Sequence, residues 1–150
     1  MTAVVTNATD QPREVTVAVE LADRSARRDL SLAARESKTV VFDPATAPAF
    51  SIANPSLWWP IGFGRPELQT LSVKLGVAGA ISDQRTLRVG LREITSTSAG
   101  GSRLFSVNGQ PIFLRGGGWS SDLLLRRDGP RLDVELAYAL HLGLNMIRLE

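Results

Sequence analysis

Cysteine is absent from the 150 residues, which excludes disulfides and cysteine-ligated metal sites. Lysine is nearly absent as well: Lys38 and Lys74 are the two present, and every other basic residue is arginine. The sequence pI of about 9.7 therefore reflects arginine choice. A formal net charge of +2 falls short of the basic surface that a nucleic-acid partner needs. The one histidine, His141, makes neither a metal cluster nor a nucleophilic triad by itself, and it reads as a cation near a helix C-terminus. No apolar run approaches the roughly 20 residues of a membrane span. Met1 is followed by Thr-Ala-Val-Val-Thr-Asn, without the basic and apolar regions of a secretory leader, so the compartment stays open.

What the sequence does have is 43% hydrophobic residues and a near-balanced charge, the composition of a globular protein that is neither disordered nor membrane-embedded. A chain of this length buries roughly 68–70% of its unfolded surface. From Thr2 to about Ile94 short β-prone runs follow one another. Val15, Val17, Val19 and Leu21 alternate with Thr16, Ala18 and Glu20; Leu30–Leu32 and Thr39–Phe42 follow; Leu71, Val73, Leu75 and Val77 alternate again, as do Leu87, Val89 and Leu91. Such strands without intervening helices predict an antiparallel β-sandwich of immunoglobulin type over residues 1–94. The antibody variant is excluded, because its Cys-Trp-Cys core is missing.

Beyond Ile94 the pattern changes. Asn108-Gly109 between two apolar runs predicts a tight hairpin. Ile112–Leu114 reads as a strand, and Arg115-Gly-Gly-Gly-Trp119 onward to Gly129 as a loop. Pro130 suits the first turn of a helix over about 131–141, with Asp133 and Glu135 near its positive end and Gly143 as C-terminal cap. Asn145–Leu149 reads as a second strand. A helix crossover makes the flanking strands parallel and right-handed, and parallel strands need cover on both faces. One such unit cannot supply that cover, so residues 95–150 are expected to begin a larger α/β domain and the chain to be a fragment.

Three stretches carry a family resemblance: Asn54-Pro-Ser-Leu-Trp-Trp-Pro-Ile-Gly-Phe-Gly64 with Leu68, Phe105-Ser-Val-Asn-Gly-Gln-Pro-Ile-Phe-Leu-Arg-Gly116, and Leu144-Asn-Met-Ile-Arg-Leu-Glu150. Together they resemble glycoside hydrolase family 2, whose immunoglobulin-like sandwich precedes a catalytic (β/α)8 TIM barrel. The Trp-Trp-Pro-x-Gly-x-Gly form resembles the mannosidase and glucosaminidase branch. The pairing of Arg-Gly-Gly-Gly-Trp with Asn-Met-Ile-Arg-Leu-Glu is most similar to the exo-β-D-glucosaminidases, with the β-mannosidases next.

The resemblance implies a retaining mechanism with two carboxyl groups about 5–5.5 Å apart. The family's acid/base glutamate follows an asparagine on a later barrel strand, and no Asn-Glu pair occurs here, so no catalytic residue is assigned and the 150 residues alone are expected to be inactive. The implied partner is a carbohydrate, with an amino sugar favoured; no cofactor, metal, nucleic acid or membrane is expected. In such a barrel Trp119 and Asp122 fall in the loop after the first strand, Glu150 sits at the tip of the second, and Arg148 shares its side. An aromatic plate beside carboxylates and an arginine suits a sugar. A carboxylate at Glu150 would hold a glucosamine ammonium, whereas mannose would gain less.

Plainer readings stand beside these. Trp58-Trp59 next to Pro60 suits packing, Arg148 suits a buried structural pair, Asp122 a turn cap, Arg126-Arg127 a solvated loop edge and Glu150 a solvated end. Gly116–Gly118 lacks the residues of a phosphate loop. The competing function is a non-enzymatic β-sandwich that binds a polysaccharide or protein, which an exposed row of aromatics on one sheet would favour.

Overall fold

The computed structural model describes residues 1–120 and 128–149. Contacts divide the chain into two units, residues 1–56 with 68–91 and residues 57–67 with 92–150.

The first unit is a two-layer β-sandwich. One layer holds β1 (Thr2–Thr6) antiparallel to β4 (Ser37–Val41), and the other has the order β3-β2-β5-β6, with β2 at Arg13–Leu21, β3 at Arg24–Leu32, β5 at Gln69–Val77 and β6 at Ala80–Val89. Alternation in β2 drives the packing. Val15, Val17, Val19 and Leu21 turn inward and are buried, while Glu20 faces out and takes Lys74 Nζ at 2.9 Å. Val5, Val40 and Phe42 close the core from the other layer, and Leu32 of β3 joins it from the β2 side. Each such fully buried aliphatic side chain stabilises the fold by about 1.5–3 kcal/mol.

β3 is longer than its Leu30-Ser-Leu signal, because its inward positions include arginines. Arg24 and Arg28 lie in register with Leu21 and Val17, and they donate to Ala49 O at 3.0 Å and Val41 O at 3.4 Å. Their stems lie along the open side of the sandwich while their heads satisfy backbone carbonyls. Asn7, just after β1, is a buried polar residue: its amide donates to Gln11 O (2.8 Å) and Ala33 O (2.9 Å), and its carbonyl accepts from the backbone N–H and hydroxyl of Thr9. It ties the ends of one strand from each layer. The β5–β6 hairpin turns at Ala78-Gly79 with both φ values positive (+50° and +82°), the mirror-image turn that matches strand twist.

The second unit holds a three-stranded antiparallel sheet, β7 (Ile94–Ala99), β8 (Ser102–Val107) and β9 (Gln110–Ile112), and a parallel pair, β10 (Gly116–Trp119) and β11 (Met146–Leu149), joined through α1 (Gly129–His141). The Asn108-Gly109 turn between β8 and β9 has φ of +52° and +78°, as its sequence predicts. Pro130 sits in the first turn of α1. Gly143 ends the helix with φ +71°, its N–H bonded to Leu140 O and that of Leu144 to Ala139 O.

The strand expected at Ile112–Leu114 is displaced. Gln110–Ile112 completes the hairpin on β8, and the partner of Met146–Leu149 is Gly116–Trp119, expected as loop. Three glycines carry almost no β signal, but the pairing needs the first of them: a Cβ on Gly116 would collide with the Met146 carbonyl.

Candidate functional site

The β10-α1-β11 unit is pinned at its entrance by Asn145. Its side-chain carbonyl accepts the Arg115 N–H at 2.8 Å and its amide donates to Phe113 O at 3.0 Å, while the backbone N–H groups of Asn145 and Met146 both reach Arg115 O. These bonds set the parallel register that places Gly118 beside Arg148 and Trp119 beside Leu149.

Trp119 therefore closes a strand and does not lie in a loop. Its indole N–H donates to Glu135 Oε2 at 2.7 Å, and Arg131, one turn earlier in α1, donates to Glu135 Oε1 at 2.8 Å. Glu135, expected as a complement to the helix's positive end, is the receptor for a tryptophan. Between α1 and the strands lies a cavity of about 550 Å³ whose lining includes Leu132, Leu136, Ala139, Ile147 and Leu149. This is a helix–sheet seam, chemically suited to apolar packing and not to a hydroxyl-rich ligand. Because side chains alternate along a strand, Arg148 projects to the face opposite Ile147 and Leu149, away from that seam. The structure thus sets Trp119 and Arg148 on opposite faces of the parallel pair. Asp122, Arg126, Arg127 and Glu150 lie outside the described residues.

The tryptophan-rich stretch forms a second cluster. Trp58 bridges Pro66, Trp59 N–H donates to Arg65 O at 3.0 Å, and a Cβ at Gly64 would stand 2.8 Å from Trp59 Cγ. The Arg92 guanidinium lies 4.7 Å from the Trp58 ring centre, a cation–π distance. Asn108 donates to Trp58 O at 3.0 Å and accepts from the Glu93 N–H at 2.9 Å. The same asparagine that makes the hairpin turn clamps the Trp58 segment. Sequence reasoning identified the turn and missed the clamp, because both partners are backbone atoms.

Among the described residues, no group of three His, Cys, Asp or Glu side chains is placed to hold a metal, and no helix is long and apolar enough to cross a membrane. Three carboxyls of the sandwich titrate below their ordinary range. The Thr16 hydroxyl, then Arg27, lowers Asp29; the Ala33 N–H, then Lys38, lowers Glu36; the Thr46 hydroxyl, then its N–H, lowers Asp43.

Known proteins share this arrangement. The sequence pattern of glycosyl hydrolases family 2 matches residues 1–92. An exo-β-D-glucosaminidase of Streptomyces avermitilis is 40% identical over 145 residues, 96% of this chain and 16% of that protein. A mannosylglycoprotein endo-β-mannosidase of Lilium longiflorum is 39% identical over 69% of the chain and 11% of its own length. The crystal structure of the Amycolatopsis orientalis exo-chitosanase CsxA superposes with a TM-score of 0.87 at 36% identity, over 99% of this chain and 17% of that one. The chain spans about a sixth of the length of these glucosaminidase relatives. The expected resemblance to the exo-β-D-glucosaminidases, with mannosidases following, is borne out, and the chain belongs to glycosyl hydrolases family 2.

Proposed function

We propose that these 150 residues are a segment of a retaining, exo-acting glycoside hydrolase that releases glucosamine from the non-reducing end of chitosan oligosaccharides. The observation that carries this reading is the 40% identity to an exo-β-D-glucosaminidase across 96% of the chain, which spans both the sandwich and the β10-α1-β11 unit. In this reading residues 1–94 are an immunoglobulin-like domain that orients the catalytic domain, and residues 95–150 are the first β/α elements of a (β/α)8 barrel. The apolar seam beside α1 fits that reading, because neighbouring β/α units would close it.

In this reading the sugar is met by Arg148, Glu150 and Asp122. Trp119 is a positioning residue on the other face. Held by Glu135, it fastens the end of β10 to α1. Glu150 binds the ammonium of glucosamine, and a neutral hexose forgoes that charge-assisted contact. Cleavage itself uses two carboxyls from outside these residues: one protonates the leaving oxygen, and the other attacks the anomeric carbon to form a glycosyl-enzyme. The isolated chain binds no cofactor and turns nothing over.

The test is the initial rate of the full-length parent on a glucosamine disaccharide and a β-mannoside, side by side. Preference for glucosamine, lost in Glu150→Gln, supports the reading. Preference for the mannoside moves the enzyme to the second reading, a β-mannosidase, which the 39% identity to the lily mannosidase supports. Activity on neither leaves a non-catalytic binding module.

A further inference from the structure

Asn108-Gly109 combines two roles that pull against each other. The pair forms the β8–β9 turn, with φ of +52° and +78° and Val107 in register with Gln110. The Asn108 side chain also clamps the tryptophan segment: Nδ2 donates to Trp58 O at 3.0 Å, and Oδ1 accepts the Glu93 N–H at 2.9 Å. A backbone bond from the Asn108 N–H to Glu93 O, also 2.9 Å, completes the contact. Asparagine followed by glycine, however, opens its own side chain to attack by the next backbone nitrogen, since glycine has no Cβ to shield that nitrogen.

The surroundings decide which role prevails. Gly109 is exposed, and a Cβ built on it would meet no atom within 4 Å, so water has free access to the turn. Asn108 is half-buried, with both polar side-chain atoms on backbone partners. For the Gly109 nitrogen to reach Cγ, the carboxamide must swing away from both. Trp58 is held in turn by Arg92, 4.7 Å from its ring centre, and by its bridge to Pro66. The reactive group is therefore locked for as long as the Trp58 segment stays seated.

We infer that Asn108 is a modification site: a spontaneous deamidation switch that the Trp58 segment gates and whose product releases that segment. The step is internal to the chain. The Gly109 nitrogen bonds to Asn108 Cγ and gives up its proton, the Cγ–Nδ2 bond breaks, and Nδ2 leaves as ammonia. Water then opens the cyclic imide at either carbonyl, giving aspartate or isoaspartate, and nothing is oxidised or reduced. Either product ends the clamp. A carboxylate still accepts the Glu93 N–H but has no hydrogen to donate, so it meets Trp58 O acceptor to acceptor. The isoaspartate form also lengthens the main chain at the turn and disturbs the Val107–Gln110 pairing. Coupling of this kind runs both ways: loosening Trp58 speeds the reaction, and the reaction loosens Trp58.

Peptide mapping of the full-length parent during warm storage at neutral pH tests the assignment. Trypsin releases residues 104–115, in which Asn108 is the one asparagine, and a synthetic peptide of that sequence gives the unclamped rate. The folded parent should deamidate there roughly tenfold or more slowly than the peptide, the factor that two such bonds together carry. Arg92→Gln, which leaves the Asn-Gly pair untouched, should move the rate back toward the peptide's. Asn108→Asp should speed amide exchange at Trp59, whose N–H bonds to Arg65 O in the same segment. Deamidation of the parent at the peptide's rate would overturn the inference. So would an Arg92→Gln rate equal to the parent's, or unchanged Trp59 exchange in Asn108→Asp. Should Arg92→Gln fold poorly, Trp59 exchange in aged, deamidated parent against fresh parent decides in its place: faster exchange upholds the switch and equal exchange refutes it.

Discussion

Replacing Asn7 with alanine removes the one buried polar side chain of the sandwich core, and the structure sets the size of the loss. Four hydrogen bonds disappear, but not all leave an orphan. Gln11 O keeps the Thr9 hydroxyl at 3.0 Å, and that hydroxyl keeps Gln11 O. Ala33 O keeps the Glu36 N–H at 3.2 Å, and the Thr9 N–H, on an exposed residue, is left to water. Each lost bond is therefore worth a net contribution of about 0.5–1.5 kcal/mol, and with these partners remaining the total is about 2 kcal/mol. For a unit of this size that lowers the Tm by roughly 10 °C.

Asn7→Asp sharpens the test. It keeps the acceptor for Thr9 but replaces two donors with a charge facing the carbonyls of Gln11 and Ala33, so at pH 7 it is at least as damaging as alanine. Acidification returns one donor and part of the stability, whereas Asn7→Ala gains nothing in the same titration. Urea unfolding followed by far-UV circular dichroism reads both variants, with the slope confirming an unchanged unfolding transition. Asn7→Ala within about 0.5 kcal/mol of the parent sequence, or Asn7→Asp the more stable of the two at pH 7, would refute the two-layer clamp.

Three further outcomes follow from single contacts. Ala78→Asn gains about 0.5–1 kcal/mol, because alanine at φ +50° bears a left-handed penalty that asparagine bears more easily; an unchanged or lowered urea midpoint contradicts this. Gly64→Ala drives a Cβ into the Trp59 ring, with an overpacking cost of about 1–3 kcal/mol and a shifted tryptophan emission maximum; native emission with native stability would show the ring is not seated there. Asp29, Glu36 and Asp43 all titrate below their ordinary values, so the unfolded chain binds protons first as pH falls. Their contribution is intact at neutral pH and is lost below about pH 4.5 as pH falls through the folded values. The urea midpoint should drop there, less steeply in Thr46→Val, and a midpoint that rises between pH 5 and 3 would reverse the sign.

How much of this was legible depended on which physical signal each element used. β2 was readable because one face is buried and the other is wetter, so alternation in the sequence is alternation in space, and β5 was readable because Leu71, Val73, Leu75 and Val77 alternate and pack against the same core although only partly buried. β3 was only partly readable: Arg24 and Arg28 point inward yet stay satisfied by carbonyls that no local pattern reveals. β10 was invisible, because its glycines serve the close approach of Met146 and leave no side chains to alternate. Asn7, Asn108 and Asn145 share one cause of illegibility. Each acts through backbone atoms distant in sequence, and asparagine in a turn looks the same whether or not it clamps a second segment.

The site follows the same logic. Trp119 and Arg148 lie within one short sheet, and their residue types alone suggest a shared sugar-binding surface. Register and parity separate them: the strand that pairs Trp119 with Leu149 puts the indole on the α1 side, where Glu135 receives it, and turns Arg148 the other way. The motif identifies the family, and the alternation of the strand separates the faces on which its residues lie. That is why Arg148, and not Trp119, lies on the face proposed to meet the sugar.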